Sequence, residues 1–420
     1  MCRRWAMVIV KSHGHCVQRM FGDPLLRHVV AVSVCTFTVI LPLTCFNVRH
    51  SVYSLWQTDR DREQTRLAAA NTRRLQENLA HLRAFNATAL CPDNTSDKQP
   101  KTWKHLHVAI TIITVSRNRH RVEHYETQYL SQVVGRFLYL LNKTISDRTY
   151  RLFVCNVDQD PDSYGEMKAL PASIPTFERY SQTEKPPKDI FEKEKQDYIF
   201  CMEESLKMNP SYVFLVEDDA YPHRHLLPVL EHVIDYHIER RNTIGARNFL
   251  HRIVTYVKFY HPERLLGYYS LEAERIPELV GASLVLGTGL FLFYMHFVVA
   301  WKPNKVNVTW ALCIVYCCLV CVSIGRQNLL ELRRLSTHLY QVTPAPSCCT
   351  PAMLYTKRGG EMVATHLKGV KCKQYFGKDK ALEEIRRREK YVGLLVQPNV
   401  FEHIGMYSSV RQSMVDPFAV

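Results

Sequence analysis

Glu217, Asp218 and Asp219 stand in a row at the end of an apolar run, Tyr212-Val213-Phe214-Leu215-Val216. Three adjacent carboxylates repel one another. A hard divalent cation relieves that repulsion and can hold a diphosphate at the same time. The run is β-rich and too short for a helix, so it reads as a buried strand. In open α/β sheets, ligands bind beyond the carboxyl ends of the strands, and the triplet occupies such an end. The competing reading is an acidic surface turn, which the triplet alone leaves open. Two further groups lie near the C-terminus, Phe376-Gly377-Lys378-Asp379 and Phe401-Glu402-His403-Ile404-Gly405. Asp379 precedes a helix expected over 381–390, where capping is the local expectation. A single His is more often structural than a ligand.

The elements around these residues alternate. Strands are expected over 107–115, 150–157 and 212–216, with another over 253–260. Between them, 126–141 forms an amphipathic helix burying Leu130, Val133, Val134, Phe137 and Leu141, and 191–206 forms a second helix. Strand–helix alternation points to an α/β fold with a parallel sheet and crossover helices. No glycine-rich phosphate loop is present, so phosphate binding falls to a metal and side chains.

The chain has 420 residues and a net charge of +14, from 54 basic and 40 acidic residues. The basic residues are scattered and no nucleic-acid module is visible, so the excess suits a membrane surface or an anionic substrate. Asp, Glu, Lys and Arg are missing between Arg27 and Arg49, between Glu278 and Lys302, and between Lys305 and Arg326. Each gap is about the 20 residues that a helix needs to cross a bilayer. The first lacks a small-residue cleavage site and reads as an uncleaved signal anchor. Arg3, Arg4, Lys11, Arg19 and Arg27 precede it and predict a cytosolic N-terminus. Acceptor sequons at Asn86, Asn94 and Asn142 agree with a lumenal segment after it. Lys302 and Lys305 suit a cytosolic turn between the second and third spans, whereas Arg326, Arg333 and Arg334 argue the other way.

The expected division is a cytosolic tail 1–27, an anchor 28–48, a lumenal stalk 49–104, a lumenal domain 105–278, a hairpin (279–301 and 306–325), and a second lumenal part 326–420. Leu75, Leu79 and Leu82 fall at helical spacing in the stalk. The last part is too small to be comfortable as a separate domain and is expected to complete the first. A hairpin inserted in such a domain would press its site towards the bilayer. Cys313, Cys317, Cys318 and Cys321 fall in the third span and read as small interface residues. Cys91, Cys155, Cys201, Cys348, Cys349 and Cys372 are lumenal, where disulfides are the default. Cys155 ends a strand and Cys201 lies on the helix before the next, so these two are expected to bond. For the adjacent Cys348 and Cys349, a mutual bond and separate partners both remain open.

Several segments resemble the post-GPI-attachment GalNAc transferases. They are the strand 110–115, Phe191-Glu192-Lys193-Glu194-Lys195-Gln196-Asp197-Tyr198, Val216-Glu217-Asp218-Asp219-Ala220 and Tyr260-His261-Pro262-Glu263-Arg264-Leu265. Cys348-Cys349-Thr350-Pro351-Ala352-Met353-Leu354, Phe376-Gly377-Lys378-Asp379 and His403-Ile404-Gly405 complete the set, in the same order and with the same inserted hairpin. The resemblance implies a multi-pass Golgi membrane protein whose lumenal domain is a catalytic, Rossmann-like GT-A nucleotide-diphosphosugar transferase fold. It implies transfer of GalNAc from UDP-GalNAc, with inversion, onto the first mannose of the GPI glycan of GPI-anchored proteins, aided by Mn²⁺ or another divalent cation. Asp219, Glu217 and His403 are then the expected metal residues, with Asp218 beside them on ribose, metal or water. Val115 is expected on the uridine, Thr350, Pro351 and Ala352 on the donor sugar or acceptor side, and Lys378 among the donor-binding residues. Asp379 is the expected base and Glu263 the second candidate. The resemblance also favours a Cys348–Cys349 bond. Two rivals are a UDP-GlcNAc-dependent transferase acting on N-glycan antennae and a non-catalytic GPI-glycan-binding Golgi protein.

Overall fold

The computed structural model describes residues 24–54, 60–90, 105–117, 127–180, 186–241, 253–269, 275–298, 306–408 and 413–414. The sequons' Asn94, the loop lysines Lys302 and Lys305, and Cys91 lie outside these residues. The chain divides into two compact units, one of residues 1–58 and 264–332, the other of 59–263 and 333–420.

The larger unit is a mixed α/β structure. Its strands are β1 (Val108–Thr114), β2 (Tyr150–Asn156), β3 (Thr176–Glu178), β4 (Tyr212–Glu217), β5 (Ala220–Pro222), β6 (Val254–Lys258), β7 (Gln341–Pro344), β8 (Ala352–Thr356), β9 (Val392–Gln397) and β10 (Phe401–His403). Its main helices are α1 (Arg60–Leu90), α2 (Tyr129–Lys143), α3 (Ile190–Lys207), α4 (Leu226–His232), α5 (Lys357–Lys368) and α6 (Lys378–Arg388). Eight strands form one sheet in the order β3-β2-β1-β4-β8-β6-β9-β7. The expected parallel arrangement holds from β3 to β4. Beyond β4 the sheet is mixed: β8 runs antiparallel between β4 and β6, and β7 antiparallel to β9. Crossover helices impose a parallel direction only where they join neighbouring strands, and β8 reaches β4 from beyond the inserted helices without one.

Alternation along the strands sends successive side chains to opposite faces. Val108, Ile110, Ile112, Phe214 and Val216 meet Leu130, Val133, Val134 and Phe137 of α2 on one face. Val213 and Leu215 meet Tyr198, Ile199 and Met202 of α3, with Val363 and Leu367 of α5, on the other. A disulfide joins Cys155 of β2 to Cys201 of α3, with Cα atoms 5.8 Å apart. Cys348 and Cys349 are bonded to each other.

The segment read as a stalk contains α1, and α1 lies against α2. Leu82 enters the core, and Leu79 packs against its edge. Gly135 of α2 sits so close that a Cβ there would be 2.5 Å from the Asn78 carbonyl oxygen. Asn78 Nδ2 donates to the Tyr221 hydroxyl (3.1 Å), and Gln132 Nε2 donates to Asn71 Oδ1 (2.8 Å). A small residue at such a crossing lets two helix backbones approach closely.

Among the described residues, the other unit holds three helices long and apolar enough to cross a membrane: Arg27–Cys45, Arg275–Phe297 and Val306–Ile324. The last two pack tightly. A Cβ on Gly287 would lie 2.6 Å from the Ile314 Cα, and Cys317 and Cys321 are buried. Arg326, just past the third helix, pairs through Nη2 with Glu278 at 2.7 Å and donates to the Leu266 carbonyl at 2.9 Å. Its charge is therefore matched locally, which weakens it as a topological signal. Strands from before and after these two helices share one sheet. If both helices span a bilayer, their flanks must return to the same side.

Candidate active site

Four chain ends meet at one edge of the sheet. β1, β2 and β4 deliver Val115 to Arg117, Asp158, and Glu217 to Asp219 at their carboxyl ends, while the antiparallel β8 brings Thr350 and Pro351 at its amino end. They line a cavity of about 620 Å³ together with Lys193, Glu194, Tyr198, Tyr260, Cys349, Lys378, Asp379, His403 and Gly405. The structure thus gathers Val115, Glu217, Asp218, Asp219, Thr350, Pro351, Lys378, Asp379 and His403 in one wall. It does not bring Ala352 or Glu263 there. Ala352 pairs with Val216 inside the sheet and packs in the core. Glu263 lies on a 3₁₀ turn after β6.

A short antiparallel pair holds His403 against the triplet. Ala220 of β5 is opposite His403 of β10, and the Ile404 N–H donates to the Asp219 carbonyl at 2.8 Å. His403 Nε2 stands 3.5 Å from Asp219 Oδ2. Gly405 is required here, because a Cβ would come within 2.6 Å of that same oxygen.

The sequence reading missed the cation that pairs with both aspartates of the triplet. Arg117, just past β1, forks onto both aspartates: Nη2 is 2.6 Å from Asp218 Oδ1 and Nη1 is 2.9 Å from Asp219 Oδ2. The guanidinium also lies 4.8 Å from the centre of the Tyr129 ring and donates to the Tyr407 carbonyl at 3.3 Å. The other Asp218 oxygen accepts from Thr114 Oγ1 (2.7 Å), which in turn takes the Tyr164 hydroxyl proton (2.6 Å). Asp218 is therefore occupied on both oxygens, and burial raises its pKa despite Arg117. Asp219 behaves differently. Burial opposes its ionisation, yet Arg117 and His403 outweigh it and hold the carboxyl below its ordinary value. Asp219 Oδ1 is buried and has no hydrogen-bond partner.

Glu217 turns the other way, to Lys378. Lys378 Nζ is 2.7 Å from Glu217 Oε1 and 2.8 Å from Glu194 Oε1. Burial raises the Glu217 pKa even so. Asp379 sits in the first turn of α6, but its side chain does not cap that helix, whose N-cap is Gly377. Its carboxylate reaches across to accept the Cys349 N–H and the Thr350 hydroxyl, both at 2.9 Å. From the opposite side, Lys258 Nζ donates to the Pro346 (3.0 Å) and Cys348 (2.7 Å) carbonyls. Burial pushes the Lys258 pKa down to about 8. The bonded cysteine pair, with φ of 116° and 59°, is clamped between these two charges.

Among the described residues, no group of three or more His, Cys, Asp and Glu side chains is arranged to hold a metal. The residues present fit a shared site instead. Asp219 offers one unmatched oxygen, Oδ1, and His403 stands by the other, and small divalent ions are commonly held by one or two carboxylates with substrate phosphates and water supplying the rest.

A family described as GPI-N-acetylgalactosamine transferase PGAP4 matches residues 108–402, a span that runs from the first residue of β1 to within one residue of His403 and includes every acid named above. The match takes in well over half of the chain, and the chain belongs to this family of GPI GalNAc transferases.

Proposed function

We propose that the larger unit is a GT-A domain in the Golgi lumen that transfers GalNAc from UDP-GalNAc, with inversion, onto the first mannose of the GPI glycan. The observation that carries this is a cavity in which the acidic triplet, Asp379 and His403 converge, all but His403 within the matched family segment. In this reading the cavity holds the donor, with Val115 on the uridine and Thr350 and Pro351 along the sugar. Asp219 and His403 would hold a divalent cation such as Mn²⁺, with Glu217 behind them. When bound, that cation supplies Lewis-acid neutralisation of the departing diphosphate.

The remaining work falls to side chains. Lys378 pairs with both Glu217 and Glu194, and its ammonium offsets part of the negative charge on the wall that faces the diphosphate. Asp379 takes the proton of the attacking mannose hydroxyl as its oxygen bonds to the sugar C1 and the C1–O bond to the diphosphate breaks on the opposite face. Two accepted hydrogen bonds leave a carboxylate with further lone-pair positions for that proton. The Asp379 bonds to residues 349 and 350 fix its distance from whatever those residues line.

The test is Asp219→Ala in the purified full chain, scored for UDP release from UDP-GalNAc and UDP-GlcNAc and for GalNAc on GPI-anchored proteins in cells. A loss of about a hundredfold or more, with UDP-GalNAc preferred by the parent, is expected. Parent-like turnover by the variant, or preference for UDP-GlcNAc, would overturn the reading.

A further inference from the structure

Arg117 occupies the place where a cation at Asp219 would have to act. It already neutralises Asp219 Oδ2 at 2.9 Å, and the remaining oxygen, Oδ1, is sealed from solvent. The guanidinium is itself enclosed, with only 9% of its side chain exposed, and its Nε is buried without a partner. Two consequences follow from elementary electrostatics. A divalent ion approaching Asp219 meets a fixed positive charge within a few ångströms, in a site too dry to screen it. For the ion to bind well, the guanidinium must yield Oδ2, which leaves Nη2 on Asp218 and frees Nη1, a buried donor that a second anion would satisfy. A diphosphate is such an anion, and the fork of an arginine suits it.

We infer that Arg117 makes cation binding at Asp219 conditional on a nucleotide diphosphate. Without nucleotide, the guanidinium competes with the cation for Asp219. With nucleotide, the diphosphate takes the guanidinium and releases the carboxylate to the cation. Cation and nucleotide each strengthen the other through this one side chain, and the coupling is reciprocal. Arg117 is thus a positioning residue acting through Asp219. This inference rests on the metal-dependent reading above and adds the order in which the site fills.

The experiment measures free Mn²⁺ by its EPR signal over the detergent-solubilised full chain, with and without UDP. The parent should bind Mn²⁺ weakly alone and far more tightly with UDP. Arg117→Gln should bind Mn²⁺ alone about 5- to 150-fold more tightly, the range expected of one coupling of this kind. Its gain from UDP should shrink accordingly, while Arg117→Lys, which keeps the charge, should stay nearer the parent. Should Arg117→Gln not fold, Arg117→Gln combined with Asp218→Asn removes one buried carboxylate along with the arginine and carries the same expectation. Unchanged or weaker Mn²⁺ binding by these variants alone, or an unchanged gain from UDP, would overturn the inference while leaving the metal reading intact. Absence of Mn²⁺ binding by parent and variants under both conditions would overturn both.

Discussion

Three neighbouring carboxylates are held in three different ways. Glu217 is tied to Lys378, Asp218 to Thr114 and Arg117, and Asp219 keeps one oxygen unmatched. Sequence spacing located the triplet but could not divide these roles, because the partners come from residues about 100 and 160 positions away. Arg117 left a usable signal all the same. Once β1 and β4 are parallel neighbours, with Ile113 opposite Glu217, a basic residue just past β1 must face the acids. Gly405→Ala should cut turnover at least tenfold with little change in melting temperature, since its methyl would displace the Asp219 carboxylate rather than open the core. Comparing kcat and thermal melting for the purified variant checks this. A pH effect is expected nearby. Burial first, then Arg334, His225, Arg224 and Arg136, push the His223 pKa from 6.5 down to about 3. His223 Nδ1 accepts the His225 N–H at 3.3 Å, a bond that protonation removes. A folded pKa below the unfolded one contributes stability that is complete above pH 6.5 and is lost as pH falls towards 3. His223→Asn, which keeps an acceptor, should flatten the fall in melting temperature across that window.

At the scale of elements, α1 is a brace for the site. It holds Tyr221 of β5 through Asn78, and Arg74 lies 3.8 Å from Glu402 of β10. Those two short strands carry Ala220 and His403, so α1 supports the pair that sets His403 against Asp219. Gly135→Val should destabilise the domain by about 1–3 kcal/mol, because an overpacked crossing must open. Denaturant unfolding of the solubilised chain measures it, and turnover should fall in parallel. The spacing of Leu75, Leu79 and Leu82 announced this helix but not what it lies on, since an apolar stripe fits any apolar partner. The helices 126–141 and 191–206 were legible to within a few residues of Tyr129–Lys143 and Ile190–Lys207, as were β1, β2, β4 and β6. β5 and β10 were not legible, having three residues each and too few alternations to register. The mixed half of the sheet was missed because strand direction depends on which strands become neighbours, which local pattern does not encode.

At the scale of the whole molecule, the apolar helices contribute their own packing. Gly287→Leu should force the second and third of them apart at Ile314 and lower the yield of folded protein recovered in mild detergent. Arg326→Leu should cost more, about 3–5 kcal/mol, because Glu278 would lose its charge partner at the end of the helix pair. Thermal melting in detergent compares the two. The position of that pair in the chain has a further effect. β6 precedes the two helices, yet both of its sheet neighbours, β8 and β9, follow them. During synthesis β6 must therefore wait, with its backbone hydrogen bonds open, until both helices and then β8, which starts 28 residues past Ile324, have been made. Asp219 likewise meets His403 only after β10 has been made. Until then the nascent chain lacks the cavity that these two residues line, and a truncation that spares every residue of the triplet but removes β8 and β9 should leave an unpaired edge for chaperones and quality control to recognise.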